Sequence, residues 1–367
     1  MNLIINIMDN LHNNYFEFTF TNDKSVGLYN KAVDDVYHSV YGALEEALEK
    51  FIEPLDFVKN FANKKQIRVL DICFGIGYNT KALLKKILQI KYKGKVYIDI
   101  LEYDKNLVTI SPFVKDTLFK TYPEISYILS SSFLEQIYEN RNNVNLIMSA
   151  KNNKKFFEPF YCSLMKKYYY LAYSYNPQTK NNSFLHNIYY HCISSRIKKP
   201  FNGLKIKNFI IKPYFWDARR TVKQLSGKYD IIFLDAFTPS KLPTLWTLEF
   251  FNELNRLASQ NCILVTYSNS SAVRHAMSEA GFSVGKLFDK NKRHCGTIAS
   301  VNDNMIKNKL NEYDIGLMHT KAGIYYRDNA LISTADEIIA QYKKEKLDSS
   351  LQSSSQFIKK YKMENNL

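Results

Sequence analysis

The chain has 367 residues, of which 46% are hydrophobic and 23% charged, so it buries a core without staples, and disorder throughout is excluded. Fifty Lys and Arg against 35 Asp and Glu leave a net charge of +15, which favours a polyanionic partner and decides nothing about the fold. Five cysteines with no CxxC pattern exclude a zinc ribbon and a disulfide framework, and no uncharged apolar run reaches the roughly 18–20 residues that span a bilayer.

In chain order, residues 16–21 (FEFTFT) alternate at period two and predict a strand or hairpin arm, while residues 42–57 (GALEEALEKFIEPLDF) predict a helix. Residues 66–74 (QIRVLDICF) predict a buried strand, followed by a glycine turn, a helix over 79–88 and a second strand over 95–103 (KVYIDILEY). This is a βαβ unit, whose strands run parallel with a right-handed crossover. From 111 to 205 the alternation lapses into a segment rich in Tyr, Phe, Asn and Lys, read as a mostly helical insertion.

The βα rhythm resumes with strands over 206–216 and 229–237 (YDIIFLDAF). A helix over 245–258 sets Leu245, Leu248, Phe251, Leu254 and Leu257 on one stripe. A strand over 262–268, a helix over 272–280 stopped by Gly281, and strand-like runs around 283–288 and 296–301 complete the pattern. A doubly wound α/β sheet ending in an antiparallel hairpin fits this order. The expected divisions are a lead-in over 1–60, a main domain over 61–302 carrying the insertion, an extension over 303–347 and a polar tail over 348–367, the tail being a docked helix or disordered.

The first candidate site is the turn DICFGIGYN, from Asp71 to Asn79, which follows a strand and opens a helix. Small residues let backbone N–H groups approach a ligand, but the third glycine of a dinucleotide fingerprint falls at Thr80. An acid followed by Gly75 and Gly77 suits a ligand without phosphate there, such as the amino acid end of S-adenosylmethionine. Glu102, ending the second strand, has the chemistry to accept both hydroxyls of a ribose. Asp217, ending the third, is placed to accept from an adenine amino group while the Ala218 N–H donates to the ring. Either acid could instead be a plain helix cap. Asp235 leaves the fourth strand into a loop that Pro239 and Pro243 stiffen, where catalysis is usually placed. His186, His191 and Cys192 have no acid or thiol to complete a metal site, so no metal is expected.

The DICFGIGYN turn, the loop DAFTPSKLPTLWT (235–247) and the run AVRHAMSEAGFSVGK (272–286) together resemble the methyltransferase domain of the MnmC-type tRNA wobble-uridine modification enzymes. DDVYHS (34–39) and KAGIYYRD (321–328) extend the resemblance over roughly residues 16–354, and the 235–246 loop is its most specific part. Asp71 stands where that family more usually has glutamate and Cys73 where it has glycine. The family's glycine-rich stretch before a Lys-Arg pair is here FDKN, before Lys292 and Arg293.

The resemblance implies a Rossmann-like class I S-adenosylmethionine-dependent methyltransferase fold with a helical insertion and an N-terminal extension, without the flavin-dependent oxidase domain of fused members. It implies N-methylation of the 5-aminomethyl group of the tRNA wobble uridine, giving 5-methylaminomethyluridine. Asp71, Gly75, Gly77, Asn79, Glu102, Asp217 and Ala218 would then bind the donor, and Asp235 would bind the substrate ammonium and help remove its proton. A base turned out of the anticodon loop needs aromatic surfaces, for which Tyr37, Phe237, Trp246 and Tyr267 are candidates, core packing being the alternative for each. Lys198, Lys199, Arg219, Lys241, Lys292 and Arg293 are the expected RNA contacts, or else a solvated basic face. The expected location is cytoplasmic, with a functional link to the upstream wobble-uridine modification enzymes. A small-amine methyltransferase or aminopropyltransferase of the same fold, or a non-catalytic RNA-binding relative, is the alternative.

Overall fold

A computed structural model of the chain describes residues 16–31, 33–37, 42–159 and 206–365. Among the described residues the strands are β1 (Phe16–Phe20), β2 (Val26–Asn30), β3 (Asp35–Val36), β4 (Gln66–Ile72), β5 (Lys95–Leu101), β6 (Phe209–Tyr214), β7 (Tyr229–Leu234), β8 (Ala258–Thr266), β9 (Ser283–Phe288) and β10 (His294–Ser300). The first three form a small antiparallel sheet, and the others a seven-stranded sheet in the order β6-β5-β4-β7-β8-β10-β9. β5 pairs parallel with β6, and β7 pairs parallel with both β4 and β8, whereas β10 runs antiparallel to β8 and β9. This is the α/β Rossmann-like arrangement, with the expected hairpin closing one edge.

The chain divides into two compact units, one comprising Met1–Leu48, Lys64–Gln66 and Phe74–Phe215, the other Glu49–Asn63, Ile67–Cys73 and Trp216–Leu367. In the first, β1 and β2 form a hairpin whose turn is tied by Asp23, which accepts from the Ser25 N–H at 2.9 Å and the Thr21 hydroxyl at 2.6 Å. The hairpin is pinned to helix α1 (Tyr78–Gln89), where the buried Tyr78 hydroxyl accepts from the Val26 N–H at 2.8 Å. On β5, Val96, Ile98 and Ile100 are buried while Tyr97 and Asp99 between them are partly exposed, the alternation that period two requires. α2 (Lys105–Ile110) follows, and the insertion continues helically through α3 (Pro123–Ser132), α4 (Leu134–Glu139) and α5 (Arg141–Ser149). Lys198, Lys199, His186, His191 and Cys192 lie outside the described residues.

The helix expected over 42–57 is broken. An α-helical turn at Ala43–Ala47 widens to a π-helical turn at Leu48–Ile52 and tightens to a 3-10 turn at Glu53–Leu55. Pro54 is the reason: it has no N–H to give, and its ring clashes with the carbonyl four residues earlier, so an α-helix cannot run through it. Asp56, at φ 42, then redirects the chain into Phe57–Phe61.

In the second unit every residue of β7 is buried, which is why, Asp230 apart, it reads as an apolar run rather than an alternation. Helix α6 (Ala218–Gln224) precedes β7 and α7 (Leu248–Leu257) follows it, with Phe251, Leu254 and Leu257 of the predicted stripe fully buried. α8 (Ser271–Glu279) leads into the β9–β10 hairpin. Beyond it, α9 (Glu312–Met318), α10 (Ala335–Asp348) and α11 (Ser354–Glu364) each start with a capping box, made by Asn311/Asp314, Thr334/Glu337 and Ser353/Gln356. The polar tail is thus a docked helix: Phe357 and Tyr361 bring their rings to 5.9 and 5.1 Å from that of Tyr313. Gly316 permits this approach, since a Cβ there would lie 2.2 Å from the Phe357 Cζ. Among the described residues no helix is long and apolar enough to cross a membrane.

Candidate functional site

In the first unit the turn before α1 is built on left-handed residues, Gly75 at φ 57 and Gly77 at φ 83, and closed by the Gly77 N–H donating to the Phe74 carbonyl at 2.8 Å. A Cβ on Gly77 would come within 2.3 Å of the Phe74 Cζ, so the ring tucked beneath the turn, itself edge-on to Phe133, demands glycine there. At Gly75 a Cβ would sit 3.1 Å from Cδ1 of Tyr37, which places that aromatic candidate against the turn. Asn79, in the first turn of α1, is buried.

Glu102 lies just past β5 and is joined to this turn. Its Oε2 accepts from the Gly75 N–H at 2.8 Å and its Oε1 from the Asp104 N–H at 3.0 Å. Burial pushes its carboxyl up to about 7, against the lowering effect of the backbone N–H groups of Asp104, Gly75 and Tyr103. These backbone bonds fix the orientation of the carboxyl group.

In the second unit Asp71 is fully buried at the end of β4, and Cys73 after it takes φ 63. That left-handed conformation explains why glycine suits the position in the resembling family; cysteine there costs about 1–2 kcal/mol. Asp217 caps α6, its Oδ1 accepting from the Arg219 N–H at 2.9 Å. The Arg219 guanidinium grips the same carboxylate, with Nε 3.1 and 3.2 Å from its two oxygens and Nη2 2.7 Å from Oδ2. Arg219 is itself buried, its Nη1 donating to Asp328 at 2.8 Å and to the Ser333 carbonyl at 2.7 Å. It therefore faces inward, and the exposed basic groups on this helix are Arg220 and Lys223. Burial alone would raise the Asp328 carboxyl, but the Ser333 and Ile332 N–H groups and Arg219 hold it below the ordinary carboxylate range.

Asp235 follows β7, half-buried, its N–H donating to the Ile72 carbonyl at 3.2 Å. The loop beyond it is braced from below: Trp246 Nε1 donates to the Phe237 carbonyl and the Tyr267 hydroxyl to the Ala236 carbonyl, each at 2.8 Å. Trp246 is 0% exposed and edge-on to Tyr267, so it orders the loop and has no face to offer a base. Phe237 and Tyr267 are half-buried, and Lys241 is exposed at the loop's crest.

Lys292 and Arg293 sit exposed at the tip of the β9–β10 hairpin. Where the resembling family uses glycines, Asp289 organises the tip, its Oδ1 accepting from the N–H groups of Asn291 and Arg293 at 2.9 and 2.8 Å. Lys292 supplies the left-handed residue at φ 60. The structure thus brings Tyr37, Gly75, Gly77 and Glu102 together in one unit, and in the other builds two separate constructions, around Asp217 and around Asp235. Asp328 and Glu249 were not recognisable as parts of the Asp217 network, because their partners are far off in the sequence.

The fold is that of the Rossmann-like α/β class, and residues 181–302 match the model of a family described as S-adenosyl-L-methionine-dependent methyltransferase. Several of the curated relatives that the chain is similar to carry the name MnmC. The tRNA 5-methylaminomethyl-2-thiouridine biosynthesis bifunctional protein MnmC of Campylobacter fetus is 24% identical over 269 residues, 73% of this chain and 33% of the relative. The chain therefore spans about a third of that relative's length. An uncharacterized protein of Methanocaldococcus jannaschii is 24% identical over 334 residues, 90% of this chain and 73% of that protein. The crystal structure of MNMC2 from Aquifex aeolicus shares the fold, with a TM-score of 0.60 at 23% identity over 91% of this chain and 86% of that one.

Proposed function

We propose that the chain methylates the 5-aminomethyl nitrogen of the tRNA wobble uridine, with S-adenosylmethionine as donor, giving 5-methylaminomethyluridine. The observation that carries this reading is the buried Glu102 carboxylate locked to the Gly75 N–H, a prepared acceptor for two vicinal hydroxyls beside a glycine turn. The residues present fit the donor by their chemistry: Glu102 for the ribose, Asp217 and the Ala218 N–H for the adenine, and the turn from Gly75 to Asn79 with Asp71 for the amino acid end. The tRNA part of the reading draws on the name of the Campylobacter fetus relative and on the net charge of +15.

When bound, the donor supplies an electrophilic methyl on a sulfonium, whose departure leaves an electron pair on sulfur. The chain's own task is alignment and proton handling. Asp235, on a loop braced by Trp246 and Tyr267, holds the substrate ammonium and accepts its proton, because only the neutral amine has the lone pair that attacks. On this reading the half-buried Phe237 flanks the base, and the exposed Lys241, Lys292 and Arg293 meet phosphates. The anticodon loop is then the partner, and the enzymes that install the aminomethyl group act before this one. Nucleoside mass spectrometry of bulk tRNA from cells with and without the gene tests it. The expected result is loss of methylaminomethyluridine with accumulation of the unmethylated amine, and an unchanged nucleoside profile overturns it.

A further inference from the structure

We propose that Asp328 is a positioning residue for the donor, acting through Arg219 to fix the Asp217 carboxylate that receives the adenine amino group. The proposal rests on the reading of Asp217 given above. It begins from an excess: a helix cap needs only the bond from the Arg219 N–H to Asp217, yet the whole guanidinium of a buried arginine is also committed. The Nε and Nη2 edge faces Asp217, while both Nη1 bonds, to the Asp328 carboxylate and the Ser333 carbonyl, run to the segment beyond α9. A guanidinium is a rigid planar fork, so anchoring one edge sets the direction of the other.

The anchor is itself held. The Asp328 side chain is 0% exposed, and its Oδ1 accepts from the Ile332 and Ser333 N–H groups at 3.1 and 3.2 Å. Glu249 on α7 accepts from the Asp328 N–H at 2.7 Å and from Arg327 Nε at 2.6 Å, and Lys223 on α6 donates to the Ala330 carbonyl at 2.7 Å. The segment is thus clamped to the two helices on either side of β7. On Asp217 both oxygens are held by Arg219, Oδ1 by the N–H at 2.9 Å and Nε at 3.1 Å, and Oδ2 by Nη2 at 2.7 Å and the shared Nε at 3.2 Å, which fixes the plane of the carboxylate. Its side chain remains 33% exposed, against 11% for that of Arg219, so the carboxylate is reachable while its support is not.

The test compares two ligands on the full chain by calorimetry: S-adenosylhomocysteine, and S-inosylhomocysteine, which carries a carbonyl where adenine has its amino group. Wild-type protein is expected to prefer the adenosyl ligand by roughly ten- to a hundredfold, the range for a hydrogen bond to a charged group. In Asp328→Asn, and in Arg219→Lys, which keeps the charge but loses the fork, that preference is expected to fall at least about fivefold. Both affinities are measured on the same folded population, so a stability loss alone leaves their ratio unmoved. If Asp328→Asn does not fold, Arg219→Lys decides alone. An unchanged preference in the folded variants overturns the proposal and makes the network purely structural. A wild-type protein that does not distinguish the ligands is a different failure: it removes Asp217 from adenine recognition, and the inference with it.

Discussion

The backbone N–H of Gly75 donates to Oε2 of Glu102 at 2.8 Å, so the carboxylate at the end of β5 is fixed by the same turn that opens α1. The bond explains how a carboxyl can be buried at the end of a strand, and what that costs.

Burial raises the Glu102 carboxyl from 4.5 to about 7. In a group raised this way the folded state holds its proton more tightly than the unfolded state. The resulting stabilisation is complete below pH 4.5, declines as pH rises towards 7, and is gone above it. Donor binding has the opposite dependence, because ribose hydroxyls donate best to the ionised form. Affinity for S-adenosylmethionine is expected to weaken as pH falls from 8 to 6, as denaturant unfolding shows the ligand-free protein gaining stability. Donor affinity that stays flat across that range would take Glu102 out of ribose binding.

Gly77 makes a second prediction that separates turn from ligand. Gly77→Ala meets two penalties, a left-handed φ of 83 and a Cβ 2.3 Å from the Phe74 ring. Together they are expected to cost about 2–4 kcal/mol of stability and to abolish donor binding at micromolar concentrations. Replacing Phe74 by Leu should recover part of the stability loss, because it relieves the collision and leaves the backbone term of about 1–2 kcal/mol. A double-mutant cycle by denaturant unfolding measures this, and strictly additive costs would show that the ring is not what excludes a side chain.

The sheet was legible because its central strands announce themselves: residues 69–72 and 229–234 are buried on both faces, and each is an unbroken apolar run apart from Asp71 and Asp230. The strand-end acids stand out in the sequence too, but a helix cap accounts for such a residue as readily as a ligand does, and Asp217 is the cap of α6. Roles that depend on distant partners were not legible. Nothing local distinguishes Trp246, a buried brace, from a tryptophan that stacks on a base. Arg219 reads as a surface cation until Asp328, 109 residues on, is seen to hold it. Pro54 is visible in the sequence, but the helical apolar spacing on either side of it masks the break that its missing N–H imposes.

The hairpin tip offers a test of the polyanion reading. Lys292 is exposed, while Arg293 donates from Nε to Asp289 at 2.9 Å and is partly neutralised by it. Lys292→Glu should therefore weaken tRNA binding more than Arg293→Glu. It should also lower the slope of log affinity against log salt by about one, the counterion release of a single phosphate contact. Filter binding at several salt concentrations reads both. A slope that neither substitution alters would mean that the tip does not touch RNA.

Asp235 carries the prediction on which the chemistry turns. Its backbone is tied to β4 through the Ile72 carbonyl, and the loop it starts is held by Trp246 and Tyr267, so the carboxylate is set on a rigid mount rather than a mobile segment. Rigid placement is what a group needs to hold an ammonium in line with a methyl donor. If it also accepts the proton, Asp235→Asn should leave folding and donor affinity intact and lower turnover by about 10²–10⁴-fold, as is usual when a general base is lost. The defect should shrink at higher pH, because more of the amine is then neutral without help. A merely structural acid behaves otherwise: its loss lowers stability, and alkaline conditions do not restore the rate. Single-turnover methylation of aminomethyluridine tRNA against pH, run beside thermal unfolding, separates the two. Equal rates at neutral pH, or a deficit accounted for by the unfolded fraction, would leave proton removal to bulk water and reduce Asp235 to a support for its loop.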